Sequence, residues 1–514
     1  MILENGLIHT LDPSLPTTRA LAIAGDRIVG GVGVHETALP TPERVNLGGR
    51  CVVPGFADSH VRFLSWALAR AMLDLRGCTS LNETTLRIAK TVTGLEKGNW
   101  LLGHGWQKDD WHNNSELALK TLDDITKDIP IALISEDRNS LWVNSAAFDA
   151  ARPYLDSKDE ILKFGDHGAP TGILHEQEAW RFQNQAIKVP ENQVRESLRK
   201  ALKVANAHGV TAIHDQDGEL GILTHWQKLR SQKQLSLRVW QTLPVAELEH
   251  LAGLNLRSGF GDSLLRLGHL KVCMNSSIEQ RAPNTIGRKD VEITSISELK
   301  EITCQSSRAG WPLSINALGY QEIHNVLDVL EDTQSTWLPL GIRHLIEHVE
   351  LIDPTDLNRF KKLKISCSTQ FAHTPFNPNI TEQVGGDRSQ PQRPYLYKSL
   401  IESGTILANG SNAPVGDFDP LASMRAGVFG ITEGESQCNN HESLTPLEAL
   451  RTITTGPAWL EHSDHIRGQL IPGALADLVV LSANPLDKRH LAEEIEIVGT
   501  MLGGRWVHGH PPWE

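Results

Sequence analysis

The spacing of apolar and polar positions divides the chain into two β-rich ends and a mixed middle. Near the start, the apolar run Ala20 to Ala24 is followed by Gly25-Asp26-Arg27 and then Ile28-Val29-Gly30, the pattern of a hairpin. The last stretch reads the same way, from Pro472-Gly473 through Leu478-Val479-Val480-Leu481 to Arg505-Trp506-Val507. Together the ends predict one small β-domain built from both termini, residues 1–52 plus 468–514. Between them, helical and strand periodicities alternate. Val194 to His208 is amphipathic with a helical period, stops at Gly209 and passes into the strand-like Val210 to Asp215. Asp353-Pro354 opens a short helix ahead of Leu363 to Ser368, and Thr445-Pro446-Leu447-Glu448 is a capping box with Pro at the first helical position. Such alternation over residues 53–467 predicts a parallel sheet, and a (β/α)8 barrel of the TIM type closes it most economically. Residues 95–175 fit the alternation poorly, are rich in Trp, Asp and Asn, and are expected to form an insertion over the barrel mouth.

Polar residues recur just after the strand-like runs: His60, Asp215, Lys271, Asn316, His348, His373 and Asn412. In a barrel those ends converge on one mouth, where active sites are built. The first of them lies in Val53-Pro54-Gly55-Phe56-Ala57-Asp58-Ser59-His60-Val61-Arg62-Phe63. Strand alternation puts His60 and Arg62 on one face and Val61 on the other. His-x-His there would be half of a metal site, and this chain has His-x-Arg.

Composition narrows the picture. The 514 residues carry a formal charge of −13 and 40% apolar side chains, as in a soluble protein with no preference for nucleic acid or anionic membranes. No apolar run is long enough to span a bilayer, and the first twenty residues lack the basic start and apolar core of a signal peptide. Six scattered cysteines without a Cys-x-x-Cys are expected to be reduced, in a cytoplasmic protein.

An ordered set of segments covers nearly the whole chain. They include Pro54 to His60, Gly103-His104-Gly105-Trp106, Leu141 to Ala147, Pro170 to Glu176, Gly209-Val210-Thr211, Arg343 to His348, Gly410 to Val415 and Pro472 to Leu478. With these the chain resembles the amidohydrolase superfamily, in its N-substituted formamide deformylase-like (amidohydrolase 3) branch. The resemblance implies a distorted (β/α)8 barrel with a split β-sandwich, and a divalent metal that activates water beside an aspartate base. Carried across position by position, it keeps His60, a glutamate at Glu176 in the place of the bridging carboxylate, and His348. The second histidine is Arg62, the histidine after Leu313-Ser314-Ile315 is Asn316, and the aspartate after Gly410-Ser411 is Asn412. Asn139 stands where a histidine is usual and Asn275 where an aspartate is usual.

His60, Glu176 and His348 are thus the remaining candidate ligands. A guanidinium beside a dication is unfavourable and an amide at Asn412 does not serve as a base, so no cofactor is expected, with divalent zinc as the alternative. Arg62 either replaces the metal's charge opposite a substrate carboxylate or oxyanion, or fills the site as an ion pair with Glu176 or Asp58. His60, Arg62, Glu176 and His348 are the expected catalytic residues. Asn139, Trp142, Asn316, His373, Asn412 and Trp106 are the expected substrate-binding residues. Trp106, Trp111, Trp142 and Trp180 either roof an apolar ligand or pack the insertion. His214-Asp215 is a candidate acid–base pair, of which alternation lets one member face the mouth.

Three readings stay open: an enzyme acting on a small organic molecule, by C–N hydrolysis or a metal-independent isomerisation, cyclisation or elimination; an inactive homologue that binds a small molecule or partner protein; and an ordinary metal-dependent hydrolase of non-peptide C–N bonds. The expected partners are a small-molecule substrate and a second copy in a homodimer, with neither nucleic acid nor membrane.

Overall fold

The computed structural model describes residues 1–30, 43–107, 118–135, 140–154, 172–175, 179, 182–183, 187–218, 221–274, 294–371, 395–430 and 442–513. The chain divides into two compact units. The first comprises Met1–Trp66, Ala201–Ser276 and Asp290–Glu514, and the second Ala67–Lys200 with Ser277–Lys289.

In the first unit eight strands pair in parallel, in chain order: Phe56–Val61, Val210–Asp215, Arg238–Pro244, Leu265–Cys273, Leu313–Ala317, Leu345–His348, Ser366–Thr369 and Leu407–Asn409. Helices between successive strands bury apolar side chains against the outer face, with Trp311, Trp337, Phe360 and Phe371 among the fully buried ones. The eighth strand returns to the first. Asn412 N–H donates to the His60 carbonyl at 2.8 Å, and Ser411 N–H donates to Asp58 Oδ1 at 3.0 Å. Gly410 makes that approach possible, because a Cβ there would meet the backbone nitrogen of His60 and would lie 2.7 Å from its Cβ. This nearly closed parallel sheet is the barrel that the alternating pattern predicts.

A further sheet in this unit draws on both ends of the chain. Its strands run across the sheet as Arg505–His508, Ile497–Leu502, Leu478–Leu481, Cys51–Pro54, Ile2–His9, Thr17–Ala24 and Arg27–Gly30, and Arg44–Asn46 also pairs with Ile2–His9. The expected hairpin is present, with Ile23 opposite Ile28 and Gly25 turning the chain at φ 61°. The capping box at Thr445 opens the helix Pro446–Thr452.

The second unit holds a five-stranded sheet in the order Ile173–His175, Ser140–Val143, Ile131–Ser135, Leu101–Trp106, Leu73–Asp74. Trp106 and Trp142 are buried there edge to face, with ring centres 6.3 Å apart. Their indole N–H groups donate to the carbonyls of Leu133 and Ala118. Among the described residues no helix is long and apolar enough to cross a membrane. Five described cysteines are free thiols.

Candidate active site

The C-terminal ends of the barrel strands bring His60, Glu347 and His348 together. His60 Nδ1 lies 2.9 Å from Glu347 Oε2, and the two side chains are 0% and 1% exposed. Glu347 Oε1 accepts from the Ser314 hydroxyl at 2.8 Å. The Ser368 hydroxyl also bonds the carboxylate, and its oxygen is 2.9 Å from Ser59 Oγ. Burial pushes the Glu347 carboxyl up, but the charge of His60, the bonds from His60 and Ser368, and the charge of His348 outweigh it and hold it at about 2. A carboxylate accepts only, so Nδ1 of His60 is the donor. That leaves Nε2 as the nitrogen that can gain or lose the second proton, and it is buried with no hydrogen-bond partner among the described residues.

His348 stacks obliquely on His60, with ring centres 5.1 Å apart and planes at 55°. Glu347 and His348 are neighbours in sequence, and in a regular strand neighbours face opposite ways. The backbone of His348 turns left-handed at φ 72°, followed by Val349 at 51°, which breaks the alternation at the strand end. Asn316 is the cross-strand neighbour of Glu347 and is buried. Asn412, also left-handed at φ 53°, is tied by its N–H to the His60 carbonyl. Lys271, buried on the fourth strand, lies opposite Ser314.

Arg62 begins the turn after the first strand, where its N–H donates to the Ala413 carbonyl. Its charge bears on Asp217, whose carboxyl burial raises and whose bonds from Ser65 N–H and hydroxyl, at 2.8 and 3.0 Å, oppose that rise. Asp58, one of the partners expected for Arg62, accepts from the backbone N–H groups of His60 and Ser411, and burial raises it to about 6. Asp215 turns to the helices: it accepts from Phe63 N–H, Asp217 N–H and the Trp226 indole, and burial with the Asp217 charge raises it to about 7. His214 carries the opposite face of that strand. Burial lowers it to about 4, and Glu461 and Glu347 are among the charges it senses. The pair is therefore split between the two faces.

Of the residues expected from sequence, His60 and His348 meet in one cluster, with Asn316 and Asn412 adjoining it through backbone and register. Trp106 and Trp142 belong to the core of the second unit. Asn139, Glu176, Asn275, His373, Trp111 and Trp180 lie outside the described residues. Among the described residues no group of three or more His, Cys, Asp or Glu side chains is placed to hold a metal ion. Glu347 and Gln370 are additional polar residues of this barrel end that sequence reasoning passed over. Ser368, inward-facing and two residues before Gln370, was the readable signal for the latter.

The amidohydrolase family matches the chain over residues 43–508. This protein belongs to that family. It is 28% identical to Protein LONG AFTER FAR-RED 3 of Arabidopsis thaliana, over 99% of this chain and 91% of that protein. It is 23% identical to the N-substituted formamide deformylase of Arthrobacter pascens, over 98% of this chain and 97% of that one. The fold is similar to that of an uncharacterized metal-dependent hydrolase from Pyrococcus furiosus, with a TM-score of 0.78 and 25% identity, covering 95% of this chain and 99% of the other. The family match thus takes in the barrel and the part of the terminal sheet formed by residues 44–54 and 478–508.

Proposed function

We propose that this amidohydrolase is an enzyme acting on a C–N bond of a small organic molecule, with His60 moving the proton, Glu347 orienting and stabilising the imidazole, and Arg62 supplying fixed positive charge in place of a metal. The observation that carries the reading is the pairing of His60 Nδ1 with the Glu347 carboxylate while Nε2 is buried without a partner among the described residues. A histidine oriented by a carboxylate in this way is a general base whose charged form is stabilised where it arises.

In hydrolysis, Nε2 takes a proton from water as the oxygen attacks the amide carbon. The same proton then passes to the nitrogen as the C–N bond breaks, giving an acid and an amine. Negative charge develops on the carbonyl oxygen, and a guanidinium near the barrel mouth favours it. The described residues do not fit the metal that the family implies. Two imidazoles face each other, one with its Nδ1 already engaged; Glu176 lies outside the described residues, and the other family positions are the amides Asn316 and Asn412 and the guanidinium of Arg62. The proposed hydrolysis therefore uses no dication.

The test combines elemental analysis with a thermal-shift screen of carboxylates, amides and lactams, followed by product analysis for any stabilising compound. Turnover by chelator-treated protein that disappears in folded His60→Gln supports the reading. Stoichiometric zinc that is required for turnover would refute it.

A further inference from the structure

Gln370 is a buried polar group at this barrel end that the proposed proton transfer leaves unused. It follows the strand Ser366–Thr369 and is 1% exposed, and neither its Oε1 nor its Nε2 has a hydrogen-bond partner among the described residues. No left-handed residue interrupts the chain from Ser366 to Phe371, so the alternation of the strand carries on to Gln370. Cys367 and Phe371 pack in the apolar cluster outside the barrel, while Ser368 turns inward to Ser59 and Glu347. Gln370, two residues beyond Ser368, shares the inward face. It therefore stands on the side of the strand that supports the His60–Glu347 pair.

A buried amide with both ends unpaired is costly, so a site that keeps one is shaped for something that satisfies it. A primary carboxamide offers a donor and an acceptor side by side. Its natural complement is another N–H and C=O on the same edge. A lactam or cyclic imide presents such a syn edge. An open-chain secondary amide does not, because its trans geometry sets N–H and C=O on opposite sides. We infer that Gln370 reads the syn amide edge of a ring substrate, a lactam or cyclic imide, and holds it beside the His60–Glu347 pair. The inference deepens the proposed C–N chemistry and rests on it for the reaction, but the binding it describes is measurable without turnover.

The probes are glutarimide and N-methylglutarimide, titrated calorimetrically into the full chain. Glutarimide should bind and N-methylation should weaken binding about tenfold or more, as expected when a buried polar pair loses its partner. In Gln370→Met the preference should vanish. Equal affinity for the two imides in the unmodified protein, no binding of either, or an undiminished preference in Gln370→Met would each overturn the inference. The unmodified protein alone decides the first two outcomes should the variant fail to fold. Folded His60→Gln should still discriminate the imides while losing turnover. If it keeps its turnover, the functional reading fails and the Gln370 subsite stands.

Discussion

His60 and Glu347 form a buried hydrogen-bonded pair, 2.9 Å between Nδ1 and Oε2, joining the first barrel strand to the sixth. The pair links the proposed catalysis to stability, because the same carboxylate that orients the imidazole also stitches the strands together.

Acid should expose that link. Glu347 lies at about 2 in the folded protein against an ordinary 4.5. A depressed carboxyl contributes stability above its unfolded value and loses it as pH falls towards the folded one. The difference corresponds to about 3 kcal/mol. Glu347→Gln should therefore be less stable at pH 7, and its urea midpoint should fall less than that of the unmodified protein between pH 4.5 and 2. Parallel midpoint curves over that window would remove Glu347 from the acid response.

Glu350 should behave in the opposite sense. It lies two residues beyond His348, is 7% exposed, and burial raises its carboxyl to about 7. With a folded value above the unfolded one, ionisation opposes folding: stability falls as pH rises from 4.5 to 7, by about 3 kcal/mol in total. Glu350→Gln should melt higher than the unmodified protein at pH 8.5, and the two should converge near pH 4.5. A constant difference across that range would show that the substitution acts through packing alone.

How far the sequence revealed this site depended on backbone direction. The barrel was readable because polar residues such as His60, Asn316 and Asn412 each closed a strand-like run, and a single mouth is where such ends meet. Glu347 was hidden by the rule that made His348 visible. Strict alternation admits one of two neighbours to the interior, and only the left-handed φ of 72° at His348 admits both. The same rule separated His214 from Asp215 correctly in kind, though it did not say which would turn inward. Asp217 was not legible as a group sensing Arg62, since their approach depends on how the first two strands end side by side.

Closure of the barrel should depend on Gly410. An added Cβ would collide with the backbone of His60, and neither partner is a flexible side-chain end that can move aside. Overpacking of this kind costs about 1–3 kcal/mol or more. Gly410→Ala should lower the melting temperature by several degrees, roughly 2–4 °C for each kcal/mol in a protein larger than a small domain. It should also reduce turnover, because the contact displaces His60 itself. An unchanged melting temperature would mean that the eighth strand does not approach the first as closely as described.

Metal affinity is where the departures at Arg62 and Asn412 should be felt together. Restoring a histidine and a carboxylate replaces a permanent positive charge and a neutral amide with two ligands of the kinds zinc prefers. The double variant Arg62→His/Asn412→Asp should therefore take up more zinc than the unmodified protein, and added zinc should raise its melting temperature. Binding that favours the folded state adds about 2.7 kcal/mol at a hundredfold excess over Kd. Chelation should reverse that rise in the double variant and leave the unmodified protein unmoved. Asn316 still lacks an imidazole, so the affinity gained should stay short of a complete three-histidine set. If the unmodified protein already loses stability on chelation, Arg62 does not stand in place of the metal.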